Sequence, residues 1–193
     1  MTPILMTPIL YFIYIIPVLS QHDELIYLPN TNYIHLSGEI EPDMANEIVS
    51  ELFNQDDDFY MYIDSNGGCV ESGLKIVKMM KYLQTENIKI KCIADKAFSM
   101  AFHIYQRCSE RLFMSNTILM QHEMKLYING NIEDSNKLLT KYTRLNDEII
   151  SYDSTRLIMD KNEYIKHLKH ELWFSGQDII KHNVGDRQIS LII

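Results

Sequence analysis

The 193-residue chain is 46% apolar and carries 26 acidic against 18 basic residues, for a net charge of −8. One sizeable core and a single domain fit that length, and the acidic balance excludes a phosphate backbone as the main partner. No G-x-x-x-x-G-K-[ST] or H-E-x-x-H spacing occurs, so neither a P-loop nor a zincin site is encoded. Cys69, Cys92 and Cys108 are odd in number and lack C-x-x-C spacing. That pattern predicts no disulfide framework, no zinc site and a reducing compartment, cytoplasmic or organellar.

Residues 1–30 read as an apolar extension. A repeated "MTPIL" precedes "YFIYIIPVLS", and no charge appears before Asp23. Its roughly 17 apolar residues reach the low edge of membrane-spanning length, but Pro3, Pro8 and Pro17 interrupt them. A basic n-region is missing, although Val18-Leu19-Ser20 has the character of a cleavage site. A docking segment or plain extension is expected, with targeting or membrane anchoring as the other reading.

From residue 31 to 193 a single domain is expected. "YIHLSG" reads as a strand, "PDMANEIVSELF" as a helix, "FYMYID" as a strand and "VESGLKIVKMMKYL" as a helix. "IKIKCIA" returns as a strand, "SMAFHIYQRC" as a short helix, and "RLFM" and "TILMQHEM" as two more strands. This alternation predicts an α/β core with parallel pairing. Beyond Gly130, about thirty residues without Gly or Pro carry Ile132, Leu138, Leu139, Leu145, Ile149 and Ile150 in a broken stripe. One helix of that length would span about 45 Å, more than a small core needs. Part of it is therefore expected to pack on another subunit; two helices broken near Tyr152-Asp153 are the alternative.

Three stretches carry candidate chemistry. After "FYMYID" comes Ser65-Asn66-Gly67-Gly68, which predicts a tight turn between strand and helix whose backbone N–H groups can approach a negative oxygen. A plain Asn-Gly turn would look the same. "DKAFSMAFHIY" places Ser99 where strand hands over to helix, a position for a nucleophile or equally for an N-cap. "LMQHEM" places His122 at a strand end, as a base or as a structural histidine.

Taken together, "YIDSNGGCVESGL", "AFSMAF" and "NTILMQHEM" resemble the Clp protease proteolytic subunit (ClpP) family, in which a strand–S-P-G-G–helix turn, an A-S-M-G helix start and an H-Q-P strand occur in this order. The likeness extends through "IHLSGEIEPDMANEIV" to "LWFSGQDIIKHNVGD", about four-fifths of the chain. It implies a ClpP/crotonase-like core with a long handle helix and a serine endopeptidase. Ser99 would be the nucleophile, His122 the base, Glu171 the triad acid in place of an aspartate, and Gly68 and Met100 the oxyanion-hole amides. It also implies self-association into heptameric rings stacked as a tetradecamer, unfolded polypeptide substrates, and an AAA+ unfoldase that uses the ATP. No cofactor or metal is implied for this chain.

The chain departs from the pattern at Asn66 (family Pro), Ala101 (family Gly), Glu123-Met124 (family Gln-Pro) and Asn183 (family Gly). Asn66 suits a turn, and Asn183 tolerates a left-handed backbone. Glu123 sets a carboxylate beside the base, and "KLYINGN" replaces the family's glycine-rich strand. The basic gating segment of the family has no counterpart at the N-terminus. A catalytically impaired partner subunit, a membrane-associated peptidase of the same class and a crotonase-type acyl-CoA enzyme are the rival expectations.

Overall fold

The computed structural model describes residues 24–28 and 33–192. Strand β2 (Tyr33–Ile40), helix α1 (Pro42–Phe53), strand β3 (Phe59–Gly68), helix α2 (Val70–Thr85), strand β4 (Ile90–Phe98), helix α3 (Met100–Gln106) and strand β5 (Glu110–Gln121) alternate along the chain. β2, β3, β4 and β5 lie side by side and parallel. The expected α/β core with parallel pairing is therefore present. β3 and β4 are buried on both faces, which is why "MYI" and "CIA" read as continuous apolar runs rather than alternating ones.

One face carries the main core. Ile48 and Leu52 of α1, Ile76 and Met80 of α2 and Phe102 of α3 pack with Met61, Ile63, Cys92 and Ala94 of the sheet. The opposite face holds a smaller cluster of Tyr62, Ile93, Leu112 and Ile189. It is closed by β1 (Glu24–Tyr27), which runs parallel to β7 (Arg187–Ile192) and brings in Ile26 and Leu28. β1 falls inside the stretch expected as an extension, so the folded domain takes in residues 24–28 too; the repeat and "YFIYIIPVLS" lie outside the described residues.

β5 is one strand where two were expected. Its register against β4 shifts between Ala94 and Lys96, and Thr117 ties the irregularity by accepting from the Met114 amide (2.8 Å) and donating to the Ala94 carbonyl (2.5 Å). The first half of β5 then pairs with β7, and the second half pairs antiparallel with β6 (Leu172–Ser175). β6 departs from all-parallel pairing. Four residues are too short for a periodic signal.

The long tract folds as a single helix, α4 (Ile132–Arg156), followed by α5 (Lys161–Leu168). Tyr152-Asp153 lies within α4. The break comes at Leu157, whose backbone is extended, and Asp160 then caps α5 by accepting from the Asn162 and Glu163 amides. Only Ile149, Ile150 and Asp153 of α4 are buried. Ile132 and Leu139 stay 83% and 52% exposed, so the first turns of the helix leave apolar side chains uncovered by the described residues.

α6 (Gln177–Lys181) leads to Asn183, whose φ of 53° is the left-handed conformation expected for it. Cys92 and Cys108 form a disulfide with Cα atoms 5.8 Å apart, which corrects the expectation of none. Sequence spacing does not reveal it, because Cys92 on β4 meets Cys108 only after α3 folds back over the sheet. Cys69 is free.

Candidate active site

Three adjacent parallel strands release their chains at the same edge of the sheet, and the candidate residues sit there. Open α/β sheets bind ligands outside the carboxyl ends of their strands. Phe98 at the end of β4 is in register with Met120 of β5, and the Ser99 amide donates to the Met120 carbonyl at 2.8 Å. Ser99 is thus one residue, and His122 two, beyond that paired position on neighbouring strands. β3 contributes Gly67 and Gly68 alongside.

The Ser-Asn-Gly-Gly stretch is strand, not the tight turn expected. β3 stays paired to β2 through Gly68, opposite Ile40. The glycines answer to close approach. A Cβ on Gly67 would lie 2.5 Å from the Phe98 carbonyl oxygen and 2.9 Å from both the Met100 nitrogen and the Ser99 Cβ. No side chain fits there, so the backbone of β3 lies directly against the start of α3.

Ser99 itself adopts φ 54°, ψ −118°. Gly176, at the matching position before α6, has φ 51°, ψ −126°. The same strand-to-helix turn is made by glycine at one place and serine at the other. An L-residue in that region costs on the order of 1–3 kcal/mol. The serine is not there as an N-cap, since its side chain makes no capping hydrogen bond. A strained elbow that exposes a hydroxyl at the top of a sheet is the geometry of a hydrolase nucleophile.

Ser99, Met100, Gly67, Gly68 and His122 all line one cavity of about 640 Å³. Its far wall is largely apolar, with Met124, Ile149, Ile150, Tyr164 and Leu168. The segment after His122 runs without regular structure to Gly130 and closes one side. It is held by the Glu123 amide, which donates to the Leu168 carbonyl at 3.0 Å. The Tyr164 hydroxyl is buried and has no hydrogen-bond partner among the described residues. Burial, reinforced by the charge of Asp153, pushes it well above the ordinary tyrosine value.

His122 Nδ1 lies 2.6 Å from the carbonyl oxygen of Glu123. A carbonyl only accepts, so Nδ1 carries the proton of this bond, and in the neutral ring Nε2 then carries the lone pair that a general base needs. The Glu123 carboxylate, expected to compete at this point, is replaced by its own main-chain oxygen. Glu171 is exposed, sits at φ 57°, and accepts from the Trp173 indole N–H at 3.3 Å. It has no hydrogen bond to His122. The two are nevertheless close in topology. The antiparallel β5–β6 ladder ends at Gln121 paired with Leu172, and His122 and Glu171 are the residues next to that last pair.

Sequence reasoning missed a buried polar group behind the cavity. His103 and Asp153 are both fully buried and meet at 2.6 Å, and Gln121 joins them at 3.5 Å. The signal was present as His103 inside "SMAFHIY" and Gln121 inside "TILMQ", polar residues at core positions of apolar runs.

Comparison with known proteins gives the family. A model of the Clp protease family matches residues 20–186. The ATP-dependent Clp protease proteolytic subunit of Borreliella afzelii (strain PKo) is 26% identical over 159 residues, covering 79% of this chain and 80% of that protein. Proteolytic subunit 1 of Borreliella burgdorferi and the subunit of Borrelia garinii subsp. bavariensis are likewise 26% identical over the same length. The family match spans most of the chain, and the chain belongs to the Clp protease family.

Proposed function

We propose that this protein is a serine endopeptidase, the proteolytic subunit of a self-associating, ATP-dependent protease. The observation that carries the reading is Ser99, held in a strained elbow on the cavity it shares with His122. His122 Nε2 takes the Ser99 hydroxyl proton as Oγ attacks the scissile carbonyl. The oxyanion is received by the amides of Gly68 and Met100, each such donor being worth about 10²–10³ in rate. The imidazolium then protonates the leaving amine, and water, activated by the same base, hydrolyses the acyl-enzyme. The apolar wall of Ile149, Ile150 and Leu168 suits an apolar peptide side chain.

Glu171 is proposed as the triad acid because it and His122 flank the last pair, Gln121 with Leu172, of the β5–β6 ladder. Its contribution is expected to be modest. With a neutral amide as the only partner of the base, the wrong tautomer is stabilised and kcat falls about 10⁴-fold. Here the Glu123 carbonyl keeps Nδ1 protonated whatever stands at 171. Glu171→Gln should therefore lower kcat only about 10- to 100-fold. A loss below twofold in a peptide-cleavage assay would remove Glu171 from the site.

The exposed apolar positions of α4, Ile132, Leu138 and Leu139, support self-association through that helix, in rings of seven stacked as a tetradecamer. ATP would be used by a partner AAA+ unfoldase that delivers unfolded chains. Among the described residues no helix is long and apolar enough to cross a membrane.

A fluorophosphonate tests the assignment directly. Ser99 Oγ should displace fluoride from phosphorus, giving a covalent adduct located by peptide mass spectrometry, and Ser99→Ala should give none. An unlabelled wild-type chain in its native assembly would favour the structural-subunit reading instead.

A further inference from the structure

Behind the cavity, α3, α4 and β5 meet at a single buried carboxylate. Asp153 of α4 has no exposed surface, and its two oxygens are divided. Oδ1 is 2.6 Å from His103 Nδ1, on α3 one turn beyond Ser99. Oδ2 accepts from Gln121 Nε2 at 3.5 Å, on β5 next to His122. Each partner is bonded onward. Arg107 Nε donates to His103 Nε2 at 3.3 Å, and its guanidinium lies 3.3 Å over the Tyr152 ring. Gln121 Oε1 accepts from the backbone amide of His122 at 3.0 Å.

The direction of every bond follows from what each group can do. His103 Nε2 faces a guanidinium, which only donates, so that nitrogen accepts and the imidazole proton is on Nδ1, toward Asp153. Both ring nitrogens are thereby used, and His103 is not a second base for Ser99 although it lines the same cavity. A carboxylate only accepts, so it compels Gln121 to present its NH₂ inward. The amide oxygen is then left facing His122, where a main-chain N–H needs an acceptor. The charge on Asp153 thus decides which end of Gln121 meets the catalytic base.

From this geometry we infer that Asp153 is a positioning residue. Through Gln121 it holds the main chain of His122, and through His103 it fixes the helix that begins at Ser99, setting the nucleophile–base alignment. The inference rests on the peptidase reading for its kinetic consequence but not for its structural one. A displacement of about 1 Å between reacting groups costs on the order of 100-fold in rate, so a device of this kind acts on kcat and leaves substrate binding alone.

Asp153→Asn tests it, because it keeps size and shape while removing the compulsion. An Asn that accepts from His103 turns its own NH₂ toward Gln121. Donor then meets donor, either between that NH₂ and Gln121 or, where Gln121 turns its oxygen inward, between Gln121 and the His122 amide, and the hold on the His122 main chain loosens. Gln121→Glu in the same chain restores the pattern, since a carboxylate accepts from Asn on one oxygen and from His122 N–H on the other. Three variants follow: Asp153→Asn, the pair Asp153→Asn with Gln121→Glu, and Gln121→Met, which leaves the His103–Asp153 pair intact.

The first readout is amide hydrogen exchange at His122, followed by NMR or mass spectrometry. Exchange should quicken about tenfold in Asp153→Asn and Gln121→Met, the size expected for one main-chain hydrogen bond, and return toward wild type in the pair. The second readout is cleavage, in which kcat should fall about 10- to 100-fold with KM within twofold, and the pair should recover most of the loss. Unchanged exchange at His122 in Gln121→Met, or a pair no better than Asp153→Asn alone, overturns the proposal. Exchange needs no activity, so an inactive wild type would sink the peptidase reading and leave this test standing. If Asp153→Asn fails to fold, Gln121→Met still decides.

Discussion

Ser99→Gly is expected to abolish peptide cleavage and, at the same time, to raise the melting temperature. Removing a serine nucleophile that works with a histidine costs on the order of 10⁶ in kcat. The stability gain has a separate origin. Ser99 is held at φ 54°, where glycine stands in the equivalent turn before α6. Relief of about 1–3 kcal/mol of strain, less about 0.5–1 kcal/mol for the freedom glycine loses on folding, leaves a gain of about 0–2.5 kcal/mol, centred on about 1 kcal/mol. For a chain of this size the central value corresponds to about 2–4 °C. Ser99→Ala is the control, since alanine removes the hydroxyl but keeps the Cβ and its strain. It should be inactive with an unchanged melting temperature. A site under strain for function predicts that split between the two variants; a serine chosen for packing predicts that both lose stability. Calorimetry on the two proteins decides, and a lower melting temperature for Ser99→Gly would remove the strain argument.

The same residue illustrates what was legible in the sequence. "YMYIDSNGGCVESGL" announces a strand, a backbone-exposing pair of glycines and a helix, because alternating or continuous apolar runs and Gly punctuation are local properties. The α/β core with parallel pairing follows from the alternation of strand and helix. The conformation at Ser99 is not legible locally, because a serine at a helix start is ordinarily a cap, and its φ of 54° and the close approach of Gly67 appear only in the assembled fold. The disulfide, β6 and the pairing of β1 with β7 depend on contacts between segments far apart in the chain, and no periodicity encodes them. Gln121 and Asp153 are a further case. Each reads as a misplaced polar residue on its own, and the buried chain that satisfies them exists only once α3, α4 and β5 are assembled.

Arg111→Met is expected to be the most destabilising substitution outside the cavity, by about 3–5 kcal/mol, because it leaves buried acceptors and a carboxylate without their partner. Arg111 is 1% exposed on β5. Its guanidinium donates to both oxygens of Asp186, to Gln106 Oε1 at 2.6 Å and to the Asn183 carbonyl at 2.9 Å. Asp186 returns a backbone bond to the Arg111 carbonyl at 2.7 Å. One side chain thus joins the end of α3, the left-handed Asn183 turn and the start of β7. Partial burial alone pushes the Asp186 carboxyl up, but hydrogen bonds and charge from Arg111 outweigh it and hold the group below its ordinary value. A carboxyl depressed in the folded state stabilises above its unfolded pKa, and that contribution fades as pH falls through the folded one. In Arg111→Met the guanidinium's bonds and charge are lost while the backbone amide at position 111 and the charge of Arg156 remain, so the burial penalty is offset less and the carboxyl titrates higher than in wild type. The gap in stability between wild type and variant should accordingly be widest near pH 7 and narrow below the ordinary carboxylate value of 3.8. Urea denaturation of both proteins at neutral and acid pH measures it; a gap that stays constant with pH would show that Arg111 acts through packing and not through its charge on Asp186.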